Sequence, residues 1–279
     1  MQQQPAHKRH WTLADIPWQE FDSTKVDAEI LKVVKAAAMV EHNGGDYGTY
    51  LCNVFHDDAE FQAVARNWAA EEVQHGQALA EWAKLADPDF DFDASFKRFA
   101  AGYKIATDAK TSIRGSRSGE LVARCIVETG TSSYYTALME TVEEPVLKQI
   151  CRNIAADEHR HYKLFYDYLR RYLKSEKVGR LRRLAVAIGR LRESEDDELA
   201  YAYFAATEPL GANYERKRFA AAYARRAYAF YRPRHVERGV AMALKAAGLN
   251  ANGRLHAWLT RLGYGFLTFR SRRLAAADA

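Results

Sequence analysis

The feature that most constrains this chain is a Glu-x-x-His pair that occurs twice, each time in a segment with helical periodicity. Glu72 and His75 form the first pair, and Glu158 and His161 form the second. Residues three apart in a helix project from the same face, one turn apart. Both pairs interrupt apolar stripes, where an unpaired carboxylate or imidazole is costly to bury. A salt bridge explains one such pair, but the recurrence favours a shared function.

Each pair also has a lone glutamate upstream in the sequence. Glu41 precedes the first pair and Glu128 precedes the second, by about thirty residues in each case. Turn signals lie midway, at Asp57-Asp58 and at Glu144-Pro145. Each half therefore predicts a helical hairpin with its carboxylates about 22 Å from the turn. Two hairpins predict a four-helix bundle with four Glu and two His at one level, which is the ligand set of ferritin-like dimetal carboxylate proteins.

The composition agrees with an all-α fold. Only 6 Pro and 16 Gly occur in 279 residues, and alternating strand-like runs are scarce. The three cysteines, Cys52, Cys125 and Cys151, are odd in number and lack C-x-x-C spacing, which favours a reducing cytoplasm over a disulfide framework. The polar start of the chain predicts no signal peptide, and no apolar run approaches the length of a membrane span.

Three regions are predicted along the chain. Residues 1–20 read as an extended lead-in to the bundle, residues 21–176 as the dimetal bundle, and residues 177–279 as a basic helical extension packed on it. Within the bundle, one helix is expected from Thr24 to Asn53, although Asn43-Gly44-Gly45 interrupts its good helix formers. A local bulge there fits a functional site, whereas a real break would count against Glu41 as a ligand.

Charge is unevenly spread over these regions. The chain carries a net +5, but residues 177–279 hold 20 Lys and Arg against 9 Asp and Glu. Such a surface can attract an acidic carrier protein, a nucleotide-bearing substrate, nucleic acid or anionic lipid, or it can simply be solvated. Residues 199–230 read as helical, and a homodimer interface or a substrate mouth is a candidate role for this extension.

Several residues beside the six candidate ligands are of interest. Asp157 and Arg160 flank the second pair and are candidates to orient the ligands. Thr131 shares a face with Glu128, so it either bonds to its own helix or lines the oxygen-binding side of the metals. Tyr134 and Tyr135 are expected to be packed core aromatics, with a redox role as the alternative. Glu71 lies one position off the ligand face and is expected to be solvated or bonded to a neighbour.

The sequence resembles the soluble acyl-carrier-protein desaturases of the ferritin-like superfamily. The resemblance covers roughly residues 25–175 and lies in W-A-A-E-E-V-Q-H-G at Trp68–Gly76, in I-A-A-D-E-H-R-H at Ile154–His161, and in Glu128 followed by Thr131. It implies that Glu72, His75, Glu128, Glu158 and His161 bind two iron ions, that Thr131 lies beside the oxygen site, and that a ferredoxin-type donor supplies electrons. Glu41 joins this set by spacing.

The function expected is therefore O2-dependent oxidation, either desaturation or hydroxylation, of an apolar or carrier-bound acyl substrate. Carboxylates and imidazoles also suit manganese, so a Mn/Fe centre is an alternative to two iron ions. Two further interpretations are a tRNA-modifying diiron hydroxylase and an iron-storage protein. No RNA-binding motif is recognisable in the basic third, and its roughly hundred residues exceed what a storage bundle needs.

Overall fold

The computed structural model describes residues 10–193 and 197–277, and within them the chain is all-helical, as predicted. The first nine residues of the predicted lead-in, residues 194–196 of the acidic stretch, and residues 278–279 lie outside the described residues. The α-helices are α1 (Ala28–His42), α2 (Gly44–Val54), α3 (Ala59–Ala86), α4 (Phe92–Gly102), α5 (Arg117–Thr141), α6 (Pro145–Glu176), α7 (Arg180–Glu193), α8 (Asp197–Thr207), α9 (Arg216–Ala229), α10 (Pro233–Ala247) and α11 (Arg254–Ala277).

Two helical hairpins form the bundle. Helices α1 and α2 both pack against α3, α5 packs extensively against α6, and α3 also contacts α6. Local sequence fixes where these helices begin. Asp27 accepts hydrogen bonds from the first turn of α1, Asp58 from that of α3, and Ser116 from that of α5. Glu144 caps α6, whose first residue is Pro145.

The predicted single helix from Thr24 to Asn53 is wrong at its start and in its middle. Residues Ser23–Lys25 form a 3-10 turn, and α1 starts only at Ala28. At Asn43 the helix is interrupted for one residue, after which α2 continues. Asn43 keeps right-handed helical dihedrals and its N–H still bonds to the carbonyl of Met39, so the interruption is local.

Close helix packing explains the glycines around this interruption. A Cβ on Gly44 would lie 2.3 Å from the Cβ of Glu72, and a Cβ on Gly76 would lie 2.5 Å from the backbone nitrogen of His42. Any larger residue would push α3 away from α1 and α2. The glycines therefore let the two rods meet at the level where the candidate ligands lie.

The C-terminal helices cover the bundle. Helix α8 packs on α1 and α4, while α10 packs on α5 and α7. The predicted helical stretch 199–230 is two helices, because α8 ends at Thr207 and α9 begins at Arg216. Pro209 and Gly211 lie in the intervening loop, and Gly211 adopts a positive φ of 89°. Helix α11 contacts α9 and α10.

Two apolar clusters fill the bundle on either side of a polar layer. One contains Val33, Trp82, Leu138 and Ile150 with residues of α8 and α9. The other contains Leu51, Phe61, Leu121 and Phe165 with residues of α7 and α10. Among the described residues, no helix combines the length and the apolar character that a bilayer crossing requires. The polar layer between the clusters holds the predicted site.

Candidate metal centre

The structure brings all six predicted side chains together in the middle of the bundle. Glu41 lies at the end of α1, Glu128 in α5, and the two Glu-x-x-His pairs in α3 and α6. Each of the six is at most 6% exposed to solvent. Four carboxylates and two imidazoles are thus removed from water in one place. The helix that carries Glu41 is interrupted at Asn43, two residues later, but Glu41 still lies with the other five residues.

The six residues form two overlapping groups. Glu41, Glu72, His75 and Glu158 each offer one ligand atom, and these atoms lie within 4.8 Å of one another. The second group, Glu72, Glu128, Glu158 and His161, meets the same limit. Glu72 and Glu158 therefore belong to both groups, while each group has a histidine and a further glutamate of its own.

Several buried polar atoms of this cluster lack a hydrogen-bond partner among the described residues. They are His75 Nδ1, His161 Nδ1, both carboxylate oxygens of Glu128, Oε1 of Glu72 and Oε1 of Glu158. Nδ1 of His161 lies 3.0 Å from Oε1 of Glu72, which is within ion-pair distance, but the two do not have hydrogen-bond geometry. Leaving a buried polar group unpaired costs about 1–3 kcal/mol, and more for a charged group. These buried nitrogen and oxygen atoms face one another. Together they form a set of ligand atoms that a bound cation would satisfy.

The outer nitrogen of each histidine is held by a carboxylate from the opposite Glu-x-x-His helix. Asp157 of α6 lies 3.0 Å from Nε2 of His75, and Glu71 of α3 lies 2.8 Å from Nε2 of His161. A carboxylate at Nε2 keeps the proton on that nitrogen, so that the Nδ1 lone pair faces the cluster. This reciprocal arrangement orients both imidazole rings with Nδ1 towards the cluster.

Asp157 and Arg160, the two residues predicted to orient the ligands, contact each other. Arg160 donates to Oδ1 of Asp157 and lies 3.5 Å from Glu71. Trp11, from the N-terminal segment, donates its indole N–H to Oδ2 of Asp157 at 2.8 Å. Its ring stacks on that of His75 with 5.8 Å between centroids. Asp157 is therefore held from three sides.

Thr131 and Tyr135 of α5 each donate a hydrogen bond to a candidate ligand. The Thr131 hydroxyl contacts Oε2 of Glu158, and it also lies near carbonyls of its own helix, which is the first of its two predicted roles. The Tyr135 hydroxyl donates to Oε1 of Glu41 at 2.6 Å. Tyr135 is a buried core aromatic, as expected, but its hydroxyl also has a polar role.

Burial and crowding shift the pKa values of the cluster. Burial raises the pKa of Glu128 to about 7, with repulsion from Glu158 adding to the effect, and it raises that of Glu72 well above its usual range. Burial alone would lower the pKa of His75 and of His161, but hydrogen bonds to the surrounding carboxylates outweigh it and raise both. Without a cation, protons therefore balance the carboxylate charge.

A cavity of about 950 Å³ lies beside the centre, between α3 and α4. His42, Phe92 and Phe96 line it together with several charged residues, but none of the six cluster residues does. His42 packs edge-on against both phenylalanines. This cavity therefore does not reach the candidate ligands.

Comparison with known families adds an independent observation. The sequence profile described as fatty acid desaturase matches residues 46–188, about half of the chain. The chain belongs to the fatty acid desaturase family. The matched range contains five of the six cluster residues and leaves out Glu41 and most of the C-terminal extension. Membership implies an oxidoreductase that acts on acyl substrates with a metal and O2. No curated protein sequence matches the chain.

Three contributors to the site were not assigned from the sequence. The sequence predicts solvent or an unspecified neighbour for Glu71, and packing with a redox alternative for Tyr135, and it assigns Trp11 no place in the site. Glu71 offered one signal, since it directly precedes a candidate ligand and Asp157 stands in the same position before Glu158. Trp11 is remote in sequence from every ligand and offered none.

Proposed function

We propose that this protein is an O2-dependent dimetal oxidoreductase that desaturates or hydroxylates an acyl chain. The observation that supports the proposal most directly is the pair of four-residue groups that share Glu72 and Glu158. These two glutamates would contribute ligand atoms to both metal positions. His75 with Glu41 would complete one metal position, and His161 with Glu128 the other.

The donor set fits two iron ions. Carboxylate oxygens and imidazole nitrogens suit iron or manganese, and a Mn/Fe pair is the closest alternative. The unpaired Nδ1 and carboxylate atoms are those that metal binding would satisfy. Iron bound there supplies the redox chemistry that lets O2 oxidise an unactivated C–H bond. Asp157 and Glu71 would hold the two histidines in the tautomer that binds metal.

Thr131 is partly exposed, whereas the six cluster residues are buried. The neighbouring Gly130 is exposed, and no atom lies within 4 Å of the position that its Cβ would occupy. We propose that the hydroxyl of Thr131 orients Glu158 and lines the side from which O2 approaches. The apolar clusters above and below the polar layer would limit the entry of water.

The stoichiometry of the reaction requires an external reductant. Reducing O2 to two waters takes four electrons, and removing two hydrogens from an acyl chain provides only two. We propose a ferredoxin-type donor for the other two electrons, and an acyl group on an acidic carrier protein as substrate, attracted by the basic extension of residues 177–279. A cytoplasmic homodimer whose catalytic unit is the bundle of residues 21–176 remains part of this proposal.

Reconstitution with iron, a chemical reductant, ferredoxin and acyl substrates of several chain lengths tests the proposal. Product analysis by mass spectrometry should show O2-dependent loss of two hydrogens or gain of one oxygen. Glu158→Ala should lose bound metal and turnover together, because it removes a shared ligand. Glu143→Ala, which changes an exposed glutamate just before α6, is the matched control. Full turnover in Glu158→Ala would refute the assignment.

A further inference from the structure

Helix α11 presents an apolar stripe to solvent along most of its length. Five large side chains form this stripe, namely Leu255, Trp258, Leu262, Phe266 and Phe269, and they are 45–65% exposed. Their spacings of three, four, four and three residues place them within an arc of about 80°, over roughly 21 Å of helix. Exposed apolar residues scattered singly are ordinary, but a continuous stripe marks an interaction surface.

The stripe is held in place by the opposite face of α11. His256 contacts the backbone carbonyl of Glu237 in α10 at 3.0 Å, and Gly263 lies against Val236. The same helix also packs on α9. Because the inner face of α11 is committed to the protein, its apolar stripe cannot turn inward. Any partner must therefore approach from outside.

A row of arginines borders the stripe. Arg254, Arg261 and Arg272 are exposed and lie within an arc of about 20° along one edge of the apolar face. Arg273 is exposed near the end of the stripe. Between Arg254 and Ala277 the sequence has five arginines, counting Arg270, and no aspartate or glutamate. The partner of this face must therefore accept aromatic side chains and tolerate concentrated positive charge.

We propose that α11 binds the surface of an anionic lipid membrane, lying in the plane of the headgroups. An amphipathic helix with Trp, Phe and Leu on one face and arginines beside it matches this mode of binding. Trp258 suits the interface, where an aromatic ring with a polar N–H is favoured. The arginines would contact lipid phosphates while Phe266 and Phe269 enter the acyl boundary.

The positive charge of α11 favours an anionic lipid surface over a second copy of the chain as its binding partner. Pairing α11 with itself would bring two uniformly basic helices together, and like charges oppose that association. An anionic lipid surface instead attracts each basic residue by about 1 kcal/mol. The proposal concerns a surface outside the candidate metal centre, so it can stand or fall independently of the reaction assigned to that centre.

Sedimentation of the full-length protein with lipid vesicles tests the proposal. The protein should bind vesicles of phosphatidylcholine mixed with phosphatidylglycerol, and should bind pure phosphatidylcholine far more weakly. Raising the salt concentration should weaken the binding. Changing Arg254, Arg261 and Arg272 together to Gln should weaken binding roughly a hundredfold at low salt. Changing Trp258, Phe266 and Phe269 together to Ser should abolish binding at any salt concentration.

Matched variants change the same residue types elsewhere on the surface. The double variant Ile113→Ser/Leu210→Ser removes large side chains that are 69% and 83% exposed outside α11. The triple variant of Arg66, Arg152 and Arg170 to Gln removes exposed arginines of the bundle helices. Both should bind anionic vesicles like the wild type. Circular dichroism and the melting temperature should show that every variant is folded.

Four results would overturn the proposal. One is equal binding of the wild type to neutral and anionic vesicles, or no binding to either. The second is wild-type binding by both α11 variants. The third is light scattering in which the apolar α11 variant converts a dimer into monomers while vesicles are not bound, which would make a second copy the occupant. Capture of a purified acidic carrier protein through the same arginines, without vesicle binding, would contradict it equally.

Discussion

Replacing Asp157 by asparagine tests how the candidate centre is built, because this carboxylate joins three elements. It contacts Nε2 of His75 and receives hydrogen bonds from Trp11 and Arg160. Burial opposes its ionisation, but His75 and Arg160 outweigh burial and lower the pKa of Asp157 from 3.8 to about 2. A difference of nearly two pKa units corresponds to about 2.5 kcal/mol of stability at neutral pH.

We expect Asp157→Asn to reduce the free energy of unfolding of the metal-free protein by about that amount. Urea denaturation in the presence of a chelator measures it. The sign follows from the lowered pKa: the contribution is complete above pH 3.8 and is lost as the pH falls through about 2. The difference between variant and wild type should therefore be constant from pH 5 to 6. It should narrow at higher pH, because Asp157 also raises the pKa of His75, and that stabilisation is lost as the pH rises above the ordinary value of 6.5.

The same substitution at Asp167 is the control. Asp167 lies on the same helix in an ion pair with Lys163, but both side chains are exposed, so Asp167→Asn should change stability by less than about 0.5 kcal/mol. Asp157→Asn should also lower metal affinity about 10–100-fold, because His75 loses its orienting partner. Equal stability and equal metal affinity of the two variants would refute the reasoning.

Three further predictions concern residues around the cluster. Gly44→Ala should destabilise the protein by several kcal/mol in thermal unfolding. Gly45→Ala should be tolerated, because its Cβ would lie 3.7 Å from the nearest side chain, in ordinary contact. Equal effects of the two substitutions would contradict the close packing. Tyr135→Phe should cost about 1–2 kcal/mol by removing a buried hydrogen bond to Glu41, and no loss would contradict that bond. Glu128→Gln should leave the metal-free protein at least as stable as the wild type. Its advantage should widen as the pH rises from 4.5 towards about 7, because the folded carboxyl ionises later than the unfolded one; a marked loss of stability would show that the carboxylate has a partner.

The long helices were predictable because their signals are local. Asp58 starts α3 and Glu144-Pro145 starts α6, and the apolar periodicity between cap and terminus specifies the buried face. Equal depth of the carboxylates followed from helix rise alone, since both hairpins turn about halfway between paired glutamates. Helix caps, apolar periodicity and helix rise are therefore sufficient to predict that the six cluster residues lie at one level of the bundle.

The parts that sequence reasoning missed depend on how helices approach each other. The interruption at Asn43 accompanies close packing of α1 and α2 on α3, which the glycines signalled only indirectly. Glu71 points away from the ligand face of its own helix, and it reaches His161 only because α6 lies beside α3. Trp11 arrives from a segment with no periodic pattern. Such contacts are set by tertiary geometry rather than by spacing along the chain.

Locating bound metal in crystals of the iron-loaded protein tests the central claim most directly. Anomalous X-ray scattering at the iron edge, combined with elemental analysis, should show two metal ions per chain. One should bind Nδ1 of His75 and the other Nδ1 of His161, with Glu72 and Glu158 shared between them. A protein that binds no transition metal after loading, or that binds it away from these two nitrogens, would contradict the account.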